Sequence, residues 1–544
     1  MVGVSWFRNA TVVGLATLAL ACAPAAPPRQ PSVQQALPAP RQGGVFQYAQ
    51  RQTSTHLNFF TGSTVSQRQT LAPIYEPLVN FDYKPGQDFR LSDTPVPWLA
   101  KSWQVVDPRT WVFKLRPGVR WHDNQPLTAA DAAFTLRYAA DPKVASTFAA
   151  NVRIIDGIET PDPQTLKVTT RQPAASLLWD LADMVVYPQH LPDEGKTFER
   201  AAVGTGPFRL ETFKPEQSVQ VRRFDGYWQT GRPYLDGVNI LMNLDDAGQQ
   251  AAFATKQVDI LTMQDKAQFD AYAKSVPDTR SEAYLADITD SLHMKLEQSP
   301  YGDLRVRRAV HLATDRQTLV KTLTYDLGGI EPPAVNGAKR GWAIPQEELL
   351  KLPGYRQPKD ADLAEAKRLL AEAGFPDGFD SSVMYVSTYV GTPQGAEALA
   401  EQLRRIGVRL ALKPTEAGVF NKAIKDGTFE TYYTGFARFL PEAQWRNTMH
   451  SKGGLNSFPI RDADLDALLD AQDGELDIAK RKEAFLKIQR LLLDKLYIIP
   501  TFAAGIVAVW QPYVHDYVYN RARQTYPRAY HLLWLDTDLA PRER

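Results

Sequence analysis

The run from Trp98 to Leu136, W-L-A-K-S-W-Q-V-V-D-P-R-T-W-V-F-K-L-R-P-G-V-R-W-H-D-N-Q-P-L-T-A-A-D-A-A-F-T-L, leaves the backbone few ways to go. Val105-Val106 and Trp111–Leu115 are β-branched and aromatic, as short strands are, and Asp107-Pro108-Arg109-Thr110 between them favours a tight reversal. A hairpin is predicted, followed by a second turn at Pro117-Gly118 and an extended run over Val119–Trp121. Thr128 stands where a helix N-cap belongs, with Asp131 three residues on. A helix is predicted from Ala129, with Ala132, Phe134 and Leu136 turned to the core. The stretch holds no nucleophile, metal cluster or phosphate loop and reads as scaffold.

At 544 residues the chain exceeds one ordinary core, so two or three domains are expected. Hydrophobic residues make up 44% and charged residues 23%, the composition of a soluble globular protein. A net charge of +1 gives no global support for a nucleic-acid or anionic-membrane surface, and no nucleic-acid partner is expected. Residues 1–21 have the shape of a secretory signal: Arg8, then an apolar run from Ala10 to Ala21 too short to span a bilayer. The sole cysteine, Cys22, follows at once, so no internal disulfide exists. Ala19-Leu20-Ala21-Cys22 resembles a lipoprotein signal, with Ala19 where Leu is usual. Lipidation of Cys22 is the expectation, and plain cleavage after Ala21 or Ala23 is the alternative. Residues 22–42, rich in Pro, Ala and Gln, read as a tether reaching at most roughly 60 Å.

The pattern S-W-x(3)-D-x(2)-T-W-x-F-x-L-R-x-G-V-x-W-H-D-x(2)-P-L-T-A-x-D-x(2)-F-T-L, between Ser102 and Leu136, closely resembles the bacterial extracellular solute-binding proteins that include the dipeptide, oligopeptide and nickel binders of ABC importers. Further runs resemble the same family in the same order: Tyr75-Glu76-Pro77-Leu78-Val79, Gly204-Thr205-Gly206-Pro207-Phe208, Tyr227-Trp228 with Pro233 and Leu235-Asp236, and the basic helix from Arg305 to Arg316. The resemblance implies an α/β fold, a periplasmic-binding-protein-like two-lobe Venus flytrap with an additional small inserted domain. The domains expected are a discontinuous first domain (43–80, 192–285 and 511–544), the insert (81–191) and a third domain (286–510), with the ligand between the first and third.

Within the third domain, Asp360 is placed to cap a helix carrying Leu363, Ala366, Leu369, Leu370 and Ala373, which ends at Gly374. Strands are predicted over Val383–Val386 and Val408–Lys413, with a helix from Gln394 to Arg405 between them, the spacing of a parallel crossover. Helices are expected at Asp464–Ala471 and Ile478–Asp494, then a strand-rich end from Tyr497.

Enzyme chemistry is hard to find. The eight histidines form no H-x(3)-H or H-E-x-x-H pair, and there is no G-x(4)-G-K-[ST] or G-x-S-x-G. No catalytic residue, metal site or cofactor is predicted. The resemblance allows nickel or haem as cargo, and nothing in the histidine spacing asks for either. A binding cleft needs aromatic walls and a few placed polar groups. Thr431-Tyr432-Tyr433-Thr434-Gly435-Phe436-Ala437-Arg438-Phe439, with Trp445 behind it, supplies both, although a buried core strand reads the same way. The expected wall is Phe59, Phe60, Tyr432, Tyr433, Phe436 and Trp445 around Gly435, with Lys295 and Arg438 as polar anchors. Peptide binders of the family place an acid soon after the equivalent glycine, where it pairs with the peptide amine. Here Arg438 comes first and Glu442 is the first acid, and Lys295 stands where relatives often carry Asn. Two cations at the cleft would favour carboxylate, phosphate or hydroxyl groups on the solute.

The function expected is thus an extracytoplasmic receptor, periplasmic or on the cell surface and lipid-anchored. It would deliver an oligopeptide, opine-like or sugar-like solute to an ABC permease and its ATPase, and act as a monomer. An extracellular hydrolase of oligosaccharides or peptides is the alternative.

Overall fold

The computed structural model describes residues 39–61, 65–82, 95–263, 266–324, 327–333, 342–389, 391–437, 448–453, 460–517 and 529–541. The expected signal, Cys22 and most of the tether lie outside them.

The folded chain begins with β1 (Val45–Ala49). The predicted hairpin follows as β2 (Ala100–Asp107) and β3 (Thr110–Leu115), then helix α1 (Ala129–Ala140), β4 (Ile155–Asp162) and β5 (Thr165–Thr170). These strands form an antiparallel sheet in the order β2-β3-β5-β4. Alternation along β3 sends Trp111, Phe113 and Leu115 inward and leaves Lys114 exposed. The α1 cap forms as expected: the Thr128 backbone N–H donates to Asp131 at 2.8 Å. The extended run at Val119–Trp121 makes only a single bridge, Arg120 to Pro126, because the chain turns back at once. Next come β6 (Phe208–Lys214), β7 (Ser218–Arg223) and β8 (Gly237–Leu241), and β8 lies parallel beside β1 to give the order β1-β8-β7-β6.

Four of the sequence runs named above meet on one buried carboxylate. Glu76 is 4% exposed. Its Oε1 accepts from the Trp98 indole and the Tyr227 hydroxyl, both at 2.8 Å. Its Oε2 accepts from Thr205 at 3.0 Å and from the Trp228 indole at 2.9 Å. The carboxylate therefore ties the start of the insert to the two segments that return from it. His122 is a second tie. Its Nδ1 accepts from the Gly204 backbone N–H at 3.2 Å, which places the proton on Nε2, 3.0 Å from the Gly206 carbonyl. Gly204 and Gly206 owe their identity to close approach and not to a turn: a Cβ on either would lie 1.8 and 2.6 Å from the Ile74 carbonyl oxygen.

Beyond β9 (Ile260–Met263), the long strand β10 (Arg280–Met294) enters a second sheet. Helices α2 (Leu304–Ala313), α3 (Arg316–Leu323) and α4 (Asp360–Glu372) follow. Then β11 (Phe379–Val386), α5 (Thr392–Arg404) and β12 (Val408–Thr415) make the predicted crossover, and β11 and β12 are parallel. Helix α6 (Ala417–Asp426), β13 (Thr431–Ala437), helices α7 (Ala463–Gly474) and α8 (Ile478–Lys495), and β14 (Ile498–Trp510) complete a six-stranded sheet in the order β9-β14-β10-β13-β11-β12. One face packs α2, α4 and α5 through Val306, Val310, Leu370 and Leu399. The other packs α6, α7 and α8 through Phe420, Leu465, Leu469 and Phe485.

Two local expectations change. Asp360 is the first residue of α4 and not its cap, a place taken by Lys359. The basic run at α2 is only partly a solvent face. Arg305 and Arg308 are exposed, but Arg307 is buried and donates to the carbonyls of Tyr301, Gly302 and Lys495. Arg316, 1% exposed, donates to the carbonyls of Pro500 and Gly354 and lies over the Tyr355 ring. Hydrogen bonds to backbone carbonyls compensate for placing these guanidinium groups inside.

Candidate ligand-binding site

Strands β10 and β14 are the two longest of the described strands, and each serves both ends of the second sheet. Residues 280–285 of β10 pair with 505–510 of β14, beside β9. Residues 289–293 pair with 498–503, beside β13. The register shifts between Leu285 and Thr289 and again between Asp290 and Ser291, so the ladder is interrupted twice within a short stretch of both strands. Ala503, the partner of Thr289, is also bridged by Gly329.

Between the two shifts, Asp290 stands opposite Gly435 of β13 and Phe502 of β14. It is 4% exposed, and its carboxylate has no hydrogen-bond or ion-pair partner among the described residues. Burial alone pushes it up to about 7. Gly435 cannot be larger: a Cβ there would lie 2.5 Å from the Ile288 Cγ2 and 3.1 Å from the Asp290 Oδ1. Strand alternation puts Asp290 on the same face as Leu292 and Tyr433. The Tyr433 hydroxyl bonds Thr501 at 2.8 Å, and Thr501 donates to the Asp290 carbonyl at 2.8 Å.

The expected wall residues go to different places. Phe59 and Phe60 are 1% and 0% exposed and pack against Phe148, Tyr138 and Tyr187, so neither ring offers surface to a ligand in this structure. Their wall role is corrected to core packing, because the Asn58 side chain and the Tyr187 hydroxyl bind this loop down by its backbone. Tyr432 and Tyr433, 1% and 0% exposed, point to opposite faces of the sheet. Tyr432 stacks on His293 at 4.6 Å and meets Phe420 and Phe429 edge-on. Tyr433 faces Gly395 of α5. The core alternative for this strand describes both tyrosines. The Phe436 side chain, Arg438 and Trp445 lie outside the described residues.

Lys295 is also moved. Its Nζ donates to the Gly427 carbonyl at 2.6 Å, at the C-terminal end of α6, where a cation meets the negative end of the helix. It lies just past the end of β10, five residues beyond Asp290 and roughly 17 Å from it. The anionic-solute expectation therefore loses one of its two cations, and the break gains a buried acid that the sequence reading passed over. An acid inside the otherwise strand-like run Ile288–Leu292 was the available signal.

Residues 94–456 match the family described as bacterial extracellular solute-binding proteins, family 5. The chain belongs to this family. As a family 5 protein it is an extracytoplasmic receptor of an ABC importer for peptides or related solutes. The glutathione-binding protein GsiB of Salmonella typhimurium is 29% identical over 356 residues, 64% of this chain and 67% of that protein. Among solved structures, the substrate-binding protein CtaP of Listeria monocytogenes superposes with a TM-score of 0.77 at 22% identity, over 91% of this chain and 100% of that one. The oligopeptide-binding protein AppA of Bacillus subtilis, in complex with a nonapeptide, gives 0.72 at 19%, over 91% and 99%. The two-lobe α/β fold follows. Among the described residues no helix is long and apolar enough to cross a membrane, and no group of three or more His, Cys, Asp or Glu side chains is placed to hold a metal ion.

Proposed function

We propose that this family 5 receptor captures a peptide-like solute between its two lobes, closes about β10 and β14, and presents the closed form to the permease with no bond made or broken. The observation that carries the reading is the shared pair of strands with its ladder interrupted at Leu285–Thr289. Two continuous strands whose pairing is locally broken allow rotation there without loss of the cores on either side. GsiB, which binds glutathione, and AppA, which holds a nonapeptide, support a peptide-like solute. Closure is driven only by contacts that the solute makes better in the closed form. The chain acts as a monomer held to the membrane through lipid on Cys22, on the tether that follows.

The test is calorimetric titration with glutathione and with short peptides, followed by mass spectrometry of the recovered ligand. The reading expects one bound molecule per chain, recovered at unchanged mass. A ligand returned cleaved or otherwise altered would favour the hydrolase. For the anchor, Cys22→Ser expressed in a bacterial host is expected to leave the membrane fraction; its retention there tells against lipidation.

A further inference from the structure

We propose that Asp290 anchors a positively charged nitrogen of the solute, an ammonium or guanidinium, beside the break in the β10–β14 ladder. The proposal rests on the receptor reading above and names the chemistry of its ligand. Burying a carboxylate without a partner is unfavourable, so such a group either takes up a proton or takes a partner that arrives from outside. Asp290 is such a group: nine-tenths buried and unpartnered among the described residues. Three other buried acids have donors of their own. Glu76 has four, Asp362 has Lys359 and Arg356, and Asp259 has the Gln47 N–H and the Tyr513 hydroxyl.

The surroundings favour an incoming cation. The cross-strand neighbour on the same face is Gly435, which places no side chain over the carboxylate. The neighbour on the other strand is Phe502, apolar and buried, which supplies no donor. Tyr433 and Thr501 spend their hydroxyls on each other and on the Asp290 carbonyl, leaving the carboxylate oxygens unclaimed. Lys295, one of the two cations expected from sequence, is turned away to Gly427. Asp290 stands directly across from Gly435 on the neighbouring strand.

The experiment uses the purified full chain and two sets of synthetic tripeptides without Lys or Arg, one with free N-terminal amines and one acetylated. Retention on the immobilised protein is read by mass spectrometry, and the best retained members are titrated. The expected result is that acetylation weakens binding by tenfold or more. Asp290→Asn is expected to weaken the free-amine peptides by tenfold or more while leaving the acetylated ones unchanged. The acetylation arm needs no variant, so it holds even if the substitution impairs folding, which a thermal melt reports. Equal binding of both sets to the wild type overturns the assignment and leaves the receptor reading standing. Wild-type affinity in a folded Asp290→Asn protein also overturns it. If neither set is retained, the peptide reading itself fails, and the assignment fails with it.

Discussion

Replacing Glu76 separates a structural tie from a merely buried acid. Each carboxylate oxygen takes two donors, one hydroxyl and one indole: Tyr227 with Trp98 on Oε1, Thr205 with Trp228 on Oε2. In Glu76→Gln one side keeps its acceptor and the other gains an NH₂. Whichever way the amide turns, the hydroxyl on the NH₂ side can rotate to accept, but the indole N–H cannot. One indole is therefore left facing a donor, at a cost of about 1–3 kcal/mol. Glu76→Ala strips all four donors of their acceptor and opens a void, so about 2–5 kcal/mol is expected. Urea unfolding followed by tryptophan fluorescence should rank wild type above Gln above Ala, with the first transition moving because the insert and its flanking segments lose their common anchor. A Gln variant as stable as wild type, or an Ala variant within about 1 kcal/mol of it, would refute the donor count.

Other outcomes follow from single contacts. Lys295→Met should leave solute affinity within twofold and lower stability by about 0.3–1 kcal/mol, measured by titration and denaturation, since its partner is a helix end. Gly435→Ala should lower stability by about 1–3 kcal/mol and weaken binding, because its Cβ would meet Ile288 and Asp290. Burial lowers the His122 imidazole to about 4. Its folded value lies below the unfolded one of about 6.5, so the neutral ring contributes stability above that pH. That contribution, up to about 3 kcal/mol, is lost as pH falls towards 4. The stability gap between wild type and His122→Ala, measured from pH 7 to 4, should shrink across that window.

The sequence was most informative where structure is local. The hairpin around Asp107–Thr110, the Thr128 cap, the β11-α5-β12 crossover and the helices near 464 and 478 all depend on neighbours within a few turns of chain. The family likeness of Glu76, Trp98, Thr205 and Tyr227-Trp228 was also legible, but not its cause, since the four donors converge from as far as 152 residues away. Candidate-site residues were the hardest to read. Whether Tyr432 and Tyr433 face a ligand or a core depends on the helices that cover each face of β13, and those come from distant segments. Lys295 looked like a cleft cation from its place in the family pattern, and its bond to the Gly427 carbonyl, 132 residues away, is a property of the folded sheet. Asp290 gained its meaning only when β10 paired with β13, which brings it to Gly435.

The central claim is that solute binding closes two lobes about β10 and β14. Small-angle X-ray scattering on the purified chain, without and with a saturating peptide that titration has shown to bind, tests it most directly. The account predicts a fall in radius of gyration on binding, reversed when the peptide is removed. A saturated complex whose scattering matches that of the free protein would contradict it.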